Sequence, residues 1–227
     1  MTAPTSRVRV RYTTLEIGKM DIHVRTLRDH LQFEDINGEA KRLGISSATW
    51  PLFGVVWPSS QVLARLMLDY YVNEKRVLEV GCGIALASLI LNQRSADITA
   101  TDYHPETEGF LAHNVKLNDG KKIPFVRTGW ADLNDDLGKF DLIIGSDILY
   151  EVEHADLLSA FINRHARGHC DVVIVDPRRG HHAKFSKKMA ELGYACAQEK
   201  VTQTDDMGKN VICQVLTFSR QSIPNLA

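Results

Sequence analysis

The chain has 227 residues, of which 24% are charged and 44% hydrophobic, and its formal net charge is −1. That length suits one sizeable domain with a small extension, and that composition suits a globular protein. The near-neutral balance gives no footprint for gripping a polyanion, so nucleic acid is not an expected partner. No run approaches the ~20 apolar residues that cross a bilayer, so no membrane is expected either.

The opening MTAPTSRVRVRY lacks the apolar stretch of a secretory signal. Cys82, Cys170, Cys196 and Cys213 form no Cys-x-x-Cys pair, so free thiols in a reducing cytoplasm are expected. VRVRYTTLEI and MDIHVRTL alternate apolar and polar residues around Gly18 and Lys19, the pattern of a β-hairpin. FEDINGEAKRLGIS permits a short helix after Asn37, ended by Gly44. SSATWPLFGVVWPSS reads as a loop with buried aromatics. Residues 1–51 are thus expected to form a hairpin and helix extension, and 52–227 the main domain.

From Gln61 the pattern changes. Val62, Leu63, Leu66, Met67 and Tyr70 recur at helical spacing. Strand runs RVLEV, DITATD, IPFVR, FDLIIGSD and DVVIVD then alternate with helical stretches, of which Leu157–Ile162 and Phe185–Leu192 are two. YACAQEKVT and NVICQVLTF close the series as a strand pair joined by QTDDMGK. The expected fold is α/β: a Rossmann-like, doubly wound, mostly parallel seven-stranded sheet, with an antiparallel terminal strand at its edge and an N-terminal β-hairpin extension.

In such sheets ligands bind beyond the carboxyl ends of the strands, where strand order reverses. RVLEV ends there in Gly81-Cys82-Gly83, ahead of an apolar helix. Glycine admits close approach of backbone, and a helix start offers unpaired N–H groups. Asp102 closes the next strand and suits ribose hydroxyls. Two details favour a sulfonium cofactor over a dinucleotide. The third glycine of the dinucleotide fingerprint is missing, and Glu79 would attract an ammonium and repel a pyrophosphate.

At this point the sequence resembles the class I S-adenosylmethionine-dependent methyltransferases, and more narrowly methyltransferase family 16, which includes protein-lysine methyltransferases. GVVWPSSQVLA, VLEVGCGIALASL, GWADL and FDLIIGSDILYE carry the resemblance, with HNVKLN between them. It covers about Gly54 to Leu192. It implies that Glu79, Gly81 and Gly83 line the methionine end of S-adenosylmethionine and that Asp102 binds the ribose. Trp130 and Ala131 would flank the adenine, and Trp57 and Ser146 would lie in the pocket. Asp147 and Tyr150 would face the transferred methyl group and the substrate as the catalytic pair. Ala85 stands where relatives often carry glycine, and its methyl is expected to tighten the turn.

The acceptor implied first is a protein lysine. A small-molecule methyltransferase and a cofactor-binding regulator without catalysis are the alternatives, with a dehydrogenase more distant. Asp147, Glu151, Glu153 and Asp156 in DILYEVEHAD either form a rim for a basic peptide or serve a helix start. His165, His169, His181 and His182 read as surface residues, with no metal expected. Cys82 reads as a small loop filler, and DPRRG, with Arg178 and Arg179, as an exposed turn.

Overall fold

The computed structural model describes residues 8–133, 136–204 and 208–220. The opening MTAPTSR and the centre of the QTDDMGK loop lie outside them. Strands β1 (Val10–Ile17) and β2 (Met20–Leu27) pair antiparallel through Gly18 and Lys19. The short helix α1 (Glu39–Arg42) follows, and Gly44 beyond it is left-handed at φ 74°. Trp50–Gly54 forms a 3-10 turn within the expected aromatic loop, with Trp50 and Phe53 buried.

The main sheet has seven strands: β3 (Arg76–Val80), β4 (Asp97–Asp102), β5 (Phe125–Arg127), β6 (Phe140–Ser146), β7 (Ala166–Asp176), β8 (Ala195–Thr204) and β9 (Asn210–Arg220). Their spatial order is β5-β4-β3-β6-β7-β9-β8. Alternation along each strand builds two cores. Val77, Leu142, Ile144, Val173, Val175 and Val215 face α2 (Pro58–Asp69), α3 (Leu86–Gln93) and α4 (Thr107–Leu117). Leu78, Val80, Ile143, Val172, Ile174 and Leu216 face α5 (His154–His165) and α6 (His182–Glu191). Each such buried aliphatic contributes roughly 1.5–3 kcal/mol, which is why strands covered on both faces read as nearly continuous apolar runs.

Three expectations change in detail. Helix α2 starts at Pro58 rather than Gln61, because proline suits a first helical turn, where its missing N–H costs nothing. The antiparallel strand is not at the edge: β9 lies between β7 and β8, antiparallel to both, and β8 is the edge. His165 is buried, with Nδ1 donating to the Gly138 carbonyl at 2.9 Å, because it closes α5 just where β7 begins.

The hairpin adds Ile17, Ile22 and Val24 to the first core. Two asparagines of HNVKLN, Asn114 on α4 and Asn118 just past its end, hold the strand β2. Asn114 Oδ1 accepts the Arg25 N–H at 2.7 Å, and Asn118 bonds both the N–H and the carbonyl of His23, at 2.9 and 2.7 Å. They satisfy backbone groups on a strand edge that would otherwise lack partners.

β3 has β4 on one side and β6 on the other. The chain winds outward from β3 through β4 to β5, then returns to β6. The crevice between the carboxyl ends of β3 and β6 is therefore the switch point of the sheet.

Candidate active site

Beyond β3, alternate residues turn left-handed: Gly81 at φ 58°, Gly83 at 53° and Ala85 at 61°. A Cβ on Gly81 would sit 2.8 Å from Ile148 Cγ2, and one on Gly83 would sit 2.8 Å from the Phe53 carbonyl oxygen. Both positions therefore demand glycine for space as well as conformation. Ala85 adopts the same conformation with a fully buried methyl, where an L-residue costs about 1–2 kcal/mol. It starts α3: its N–H donates to the Cys82 carbonyl at 2.7 Å, and its carbonyl accepts the Leu89 N–H at 2.9 Å.

Two acids brace this loop from within. Asp102 Oδ2 accepts the Gly83 N–H and Oδ1 the His104 N–H, each at 2.8 Å. Burial pushes its carboxyl up, and these bonds pull it back. Glu79 is buried, and its Oε2 accepts the Ser88 N–H at 2.8 Å as well as the Ser88 hydroxyl. Burial raises this carboxyl to about 7 against the opposing effect of those bonds. His104 packs beneath, stacked on Phe53 at 4.0 Å between centroids, and burial lowers it to about 3.

The opposite wall comes from β6 and β7. Asp147, at φ 55°, follows Ser146 and donates its N–H to the Val175 carbonyl at 2.9 Å. Its carboxylate, 6% exposed, takes a two-pronged ion pair from Arg179, with Nε at 2.5 Å and a terminal nitrogen at 2.8 Å. Arg179 is presented by a turn that Asp176 holds, its Oδ1 accepting the N–H groups of Arg178 at 2.6 Å and Arg179 at 3.2 Å. The guanidinium also lies 5.8 Å from the Trp57 ring centroid, and Trp57 Nε1 donates to the Leu52 carbonyl at 3.0 Å.

Tyr150 is 44% exposed and meets His154 edge-on at 4.5 Å; His154 meets Trp130 edge-on at 5.1 Å. His154 Nδ1 donates to the Ile148 carbonyl at 2.9 Å, which fixes the imidazole between the two rings. Burial first, then Asp102, Glu151 and Asp147, push the Tyr150 hydroxyl up to about 12, with Arg179 opposing. The phenol stays neutral near pH 7.

Trp57, Gly81, Gly83, Asp102, Trp130, Ser146 and Asp147 are all partly exposed, whereas Val80, Cys82, Thr101, Gly145 and Ile148 beside them are buried. Trp130 reaches the loop, with Cζ2 3.9 Å from where a Cβ on Gly81 would stand. Ala131 is exposed in the adjacent turn, where Asp132 Oδ2 accepts the Gly129 N–H at 2.6 Å. Glu79 directs Oε2 to Ser88 on α3.

Arg179 and His154 contact the predicted residues Asp147 and Tyr150, and the sequence reading assigns neither of them a role. The signal for Arg179 is a basic pair two residues past the acid that ends a strand at the ligand edge. DPRRG is a turn, as Arg178 at φ 66° shows, but it is also an arm into the site. Two of the four rim acids are paired with cations, Asp147 with Arg179, and Asp156 with Lys184 at 2.6 Å and Lys188 at 3.0 Å. Burial holds the Cys82 thiol well above its ordinary value, so nothing activates it as a nucleophile. Among the described residues no group of three His, Cys, Asp or Glu is placed to hold a metal ion.

A family model described as lysine methyltransferase matches residues 42–192. The electron transfer flavoprotein beta subunit lysine methyltransferase of Xenopus laevis is 33% identical over 140 residues, 60% of this chain and 55% of that protein. Protein N-lysine methyltransferase METTL21A of Danio rerio is 30% identical over 161 residues, 67% of this chain and 69% of that protein. The chain spans about half the length of the flavoprotein-directed relatives it matches. In fold it is similar to the magnesium protoporphyrin IX methyltransferase of Synechocystis PCC 6803, solved with bound S-adenosylmethionine. There the TM-score is 0.57 at 18% identity, over 86% of this chain and 89% of that one.

Proposed function

The chain belongs to the lysine methyltransferase family, and from that premise we propose that it transfers a methyl group from S-adenosylmethionine to a protein lysine side chain. The observation that carries this reading is the crevice in which the Gly81–Gly83 loop and Asp102 face Asp147 and Tyr150. When bound, the cofactor supplies a methyl group already activated by a cationic sulfur, so the protein's task is positioning and electrostatics.

The residues present fit that group. Gly81 and Gly83 leave room for nothing larger than hydrogen, so a ligand meets bare backbone. Asp102 accepts the Gly83 and His104 N–H groups, one on each oxygen, and a remaining lone pair would serve a ribose hydroxyl. Trp57, Trp130, Ala131 and Ser146 would wall the pocket, and Glu79 would hold the loop and favour a nearby ammonium. A lysine acceptor must first lose a proton, and its unperturbed pKa is about 10.4. Desolvation in the crevice lowers that value. Asp147 and the Tyr150 oxygen would then accept one N–H each, which leaves the nitrogen lone pair directed at the methyl group.

The cytoplasm suits this reading, because all four cysteines are free thiols. Among the described residues no helix is long and apolar enough to cross a membrane. Calorimetry should show micromolar binding of S-adenosylhomocysteine and none of NAD. Tritiated S-adenosylmethionine incubated with cell lysate should label protein, and hydrolysis should release methyllysine. Label in a small-molecule fraction or in methylarginine would change the acceptor. No binding of S-adenosylhomocysteine would overturn the whole reading.

A further inference from the structure

Arg179 lies outside the motifs that mark this fold, yet its guanidinium touches Asp147, one of the two groups assigned to the acceptor. We propose that Arg179 is a positioning residue: it offsets the charge of Asp147, so that the acceptor lysine is held as the free amine rather than captured as ammonium. The inference rests on the methyltransferase reading and deepens it.

The chemistry sets the need. An almost buried, unpaired carboxylate beside the acceptor would favour the ammonium form, which has no lone pair to attack with. Each unit by which the acceptor's pKa rises removes about tenfold of free amine at neutral pH. The groups facing Asp147 are mostly acidic. Asp176 comes from the end of β7, Tyr150 from its own segment, and the Cys213 thiol from β9; Glu151 and Asp102 act on Tyr150 rather than on Asp147. His182 lies 3.8 Å from Asp176, and the neutral Trp57 ring faces the Arg179 guanidinium at 5.8 Å. Arg179 supplies the compensating positive charge, in a two-pronged geometry that also fixes the plane of the carboxylate. A carboxylate so held keeps lone pairs for an amine N–H.

The guanidinium is separable from the fold. It is 41% exposed, and the turn that carries it is held through backbone N–H groups on Asp176. The side chain therefore tunes the site without filling a core.

The test is the pH profile of tritium transfer to lysate protein by the full chain, from about pH 6 to 10. Arg179→Gln should move the acid limb up by about one unit and cut labelling at pH 7 about tenfold, with the curves converging at high pH. Arg179→Lys keeps the charge and should restore the limb to within a few tenths of a unit. Asp147→Asn leaves Arg179 unopposed and should move the limb the other way, downward, beneath a lower plateau. An unshifted limb in Arg179→Gln overturns the inference, and so does an equal shift in Arg179→Lys. If Arg179→Gln fails to fold, the sign of the Asp147→Asn shift decides, and an unmoved or raised limb overturns it. Absence of labelling by the wild-type chain at every pH removes the methyltransferase reading itself, a result distinct from the others.

Discussion

The two walls of the crevice are built by different forces. On the β3–β4 side the acids Glu79 and Asp102 bond to backbone N–H groups and to Ser88, and the glycines leave no spare volume. On the β6–β7 side the nearly buried Asp147 answers to the half-exposed Arg179, and the exposed Asp156 to Lys184 and Lys188. The first wall is shaped by sterics and buried hydrogen bonds, which salt hardly screens. The second is set by charge, and charge can be retuned without moving the chain. A wall of the first kind suits a constant ligand, and a wall of the second kind suits an acceptor whose protonation matters.

Substitutions can break this contrast. The largest effect should come from Gly83→Ala, which forces a left-handed alanine against the Phe53 carbonyl. Strain and overpacking together cost about 3 kcal/mol, or roughly a hundredfold in S-adenosylhomocysteine affinity by calorimetry. Undiminished affinity would place the ligand elsewhere. Tyr150→Phe keeps the ring against His154 and removes the oxygen. It should lower kcat/KM by about tenfold, the loss of one hydrogen bond, with S-adenosylhomocysteine affinity unchanged. Weaker cofactor binding would instead put Tyr150 on the cofactor wall.

The next effect is a pH dependence of stability. Glu79 is raised from 4.5 to about 7, so its contribution is whole below 4.5 and is lost as pH rises through 7. His104 is lowered from 6.5 to about 3, so its contribution is whole above 6.5 and is lost as pH falls through 3. Between 4.5 and 6.5 the two oppose each other. On acidification from about pH 7 to 5 the melting temperature of Glu79→Gln should therefore fall by a few degrees more than that of wild type, and that of His104→Phe by less. Parallel curves for all three proteins would show that neither group titrates as its burial demands. The smallest effect belongs to Asp156→Asn. Its partners are exposed lysines, and the melting temperature should stay within about 2 °C of wild type by scanning calorimetry.

Much of this architecture is legible in the sequence because alternation and helical spacing are local. VLEV, LIIG and VVIV announce strands buried on both faces, and the glycine pair announces the turn beyond β3. The acceptor wall is harder to read. Arg179 finds Asp147 across 32 residues, and no periodicity marks such a pair. Glu79 reads as a ligand for an ammonium, and nothing in the sequence shows that its Oε2 also bonds Ser88, where a helix that begins above the loop turns its first N–H groups back onto the strand end. The strand order beyond β7 is equally hidden. A terminal strand pair looks the same in sequence whether its first or its second member joins the sheet. Ala85 is the reverse case: the departure seen in the sequence falls on a left-handed position, where it has a measurable backbone cost.

The insertion of β9 between β7 and β8 has a consequence for how the protein is made. While the ribosome has delivered β8 but not β9, β7 bares one side of its ladder and β8 has no neighbour at all. One side of β7 and both sides of β8 are then open, each a template for pairing with another chain. A single strand, Asn210–Arg220, covers β7 and one side of β8 at once. Deletion of Asn210–Arg220 should therefore yield insoluble product.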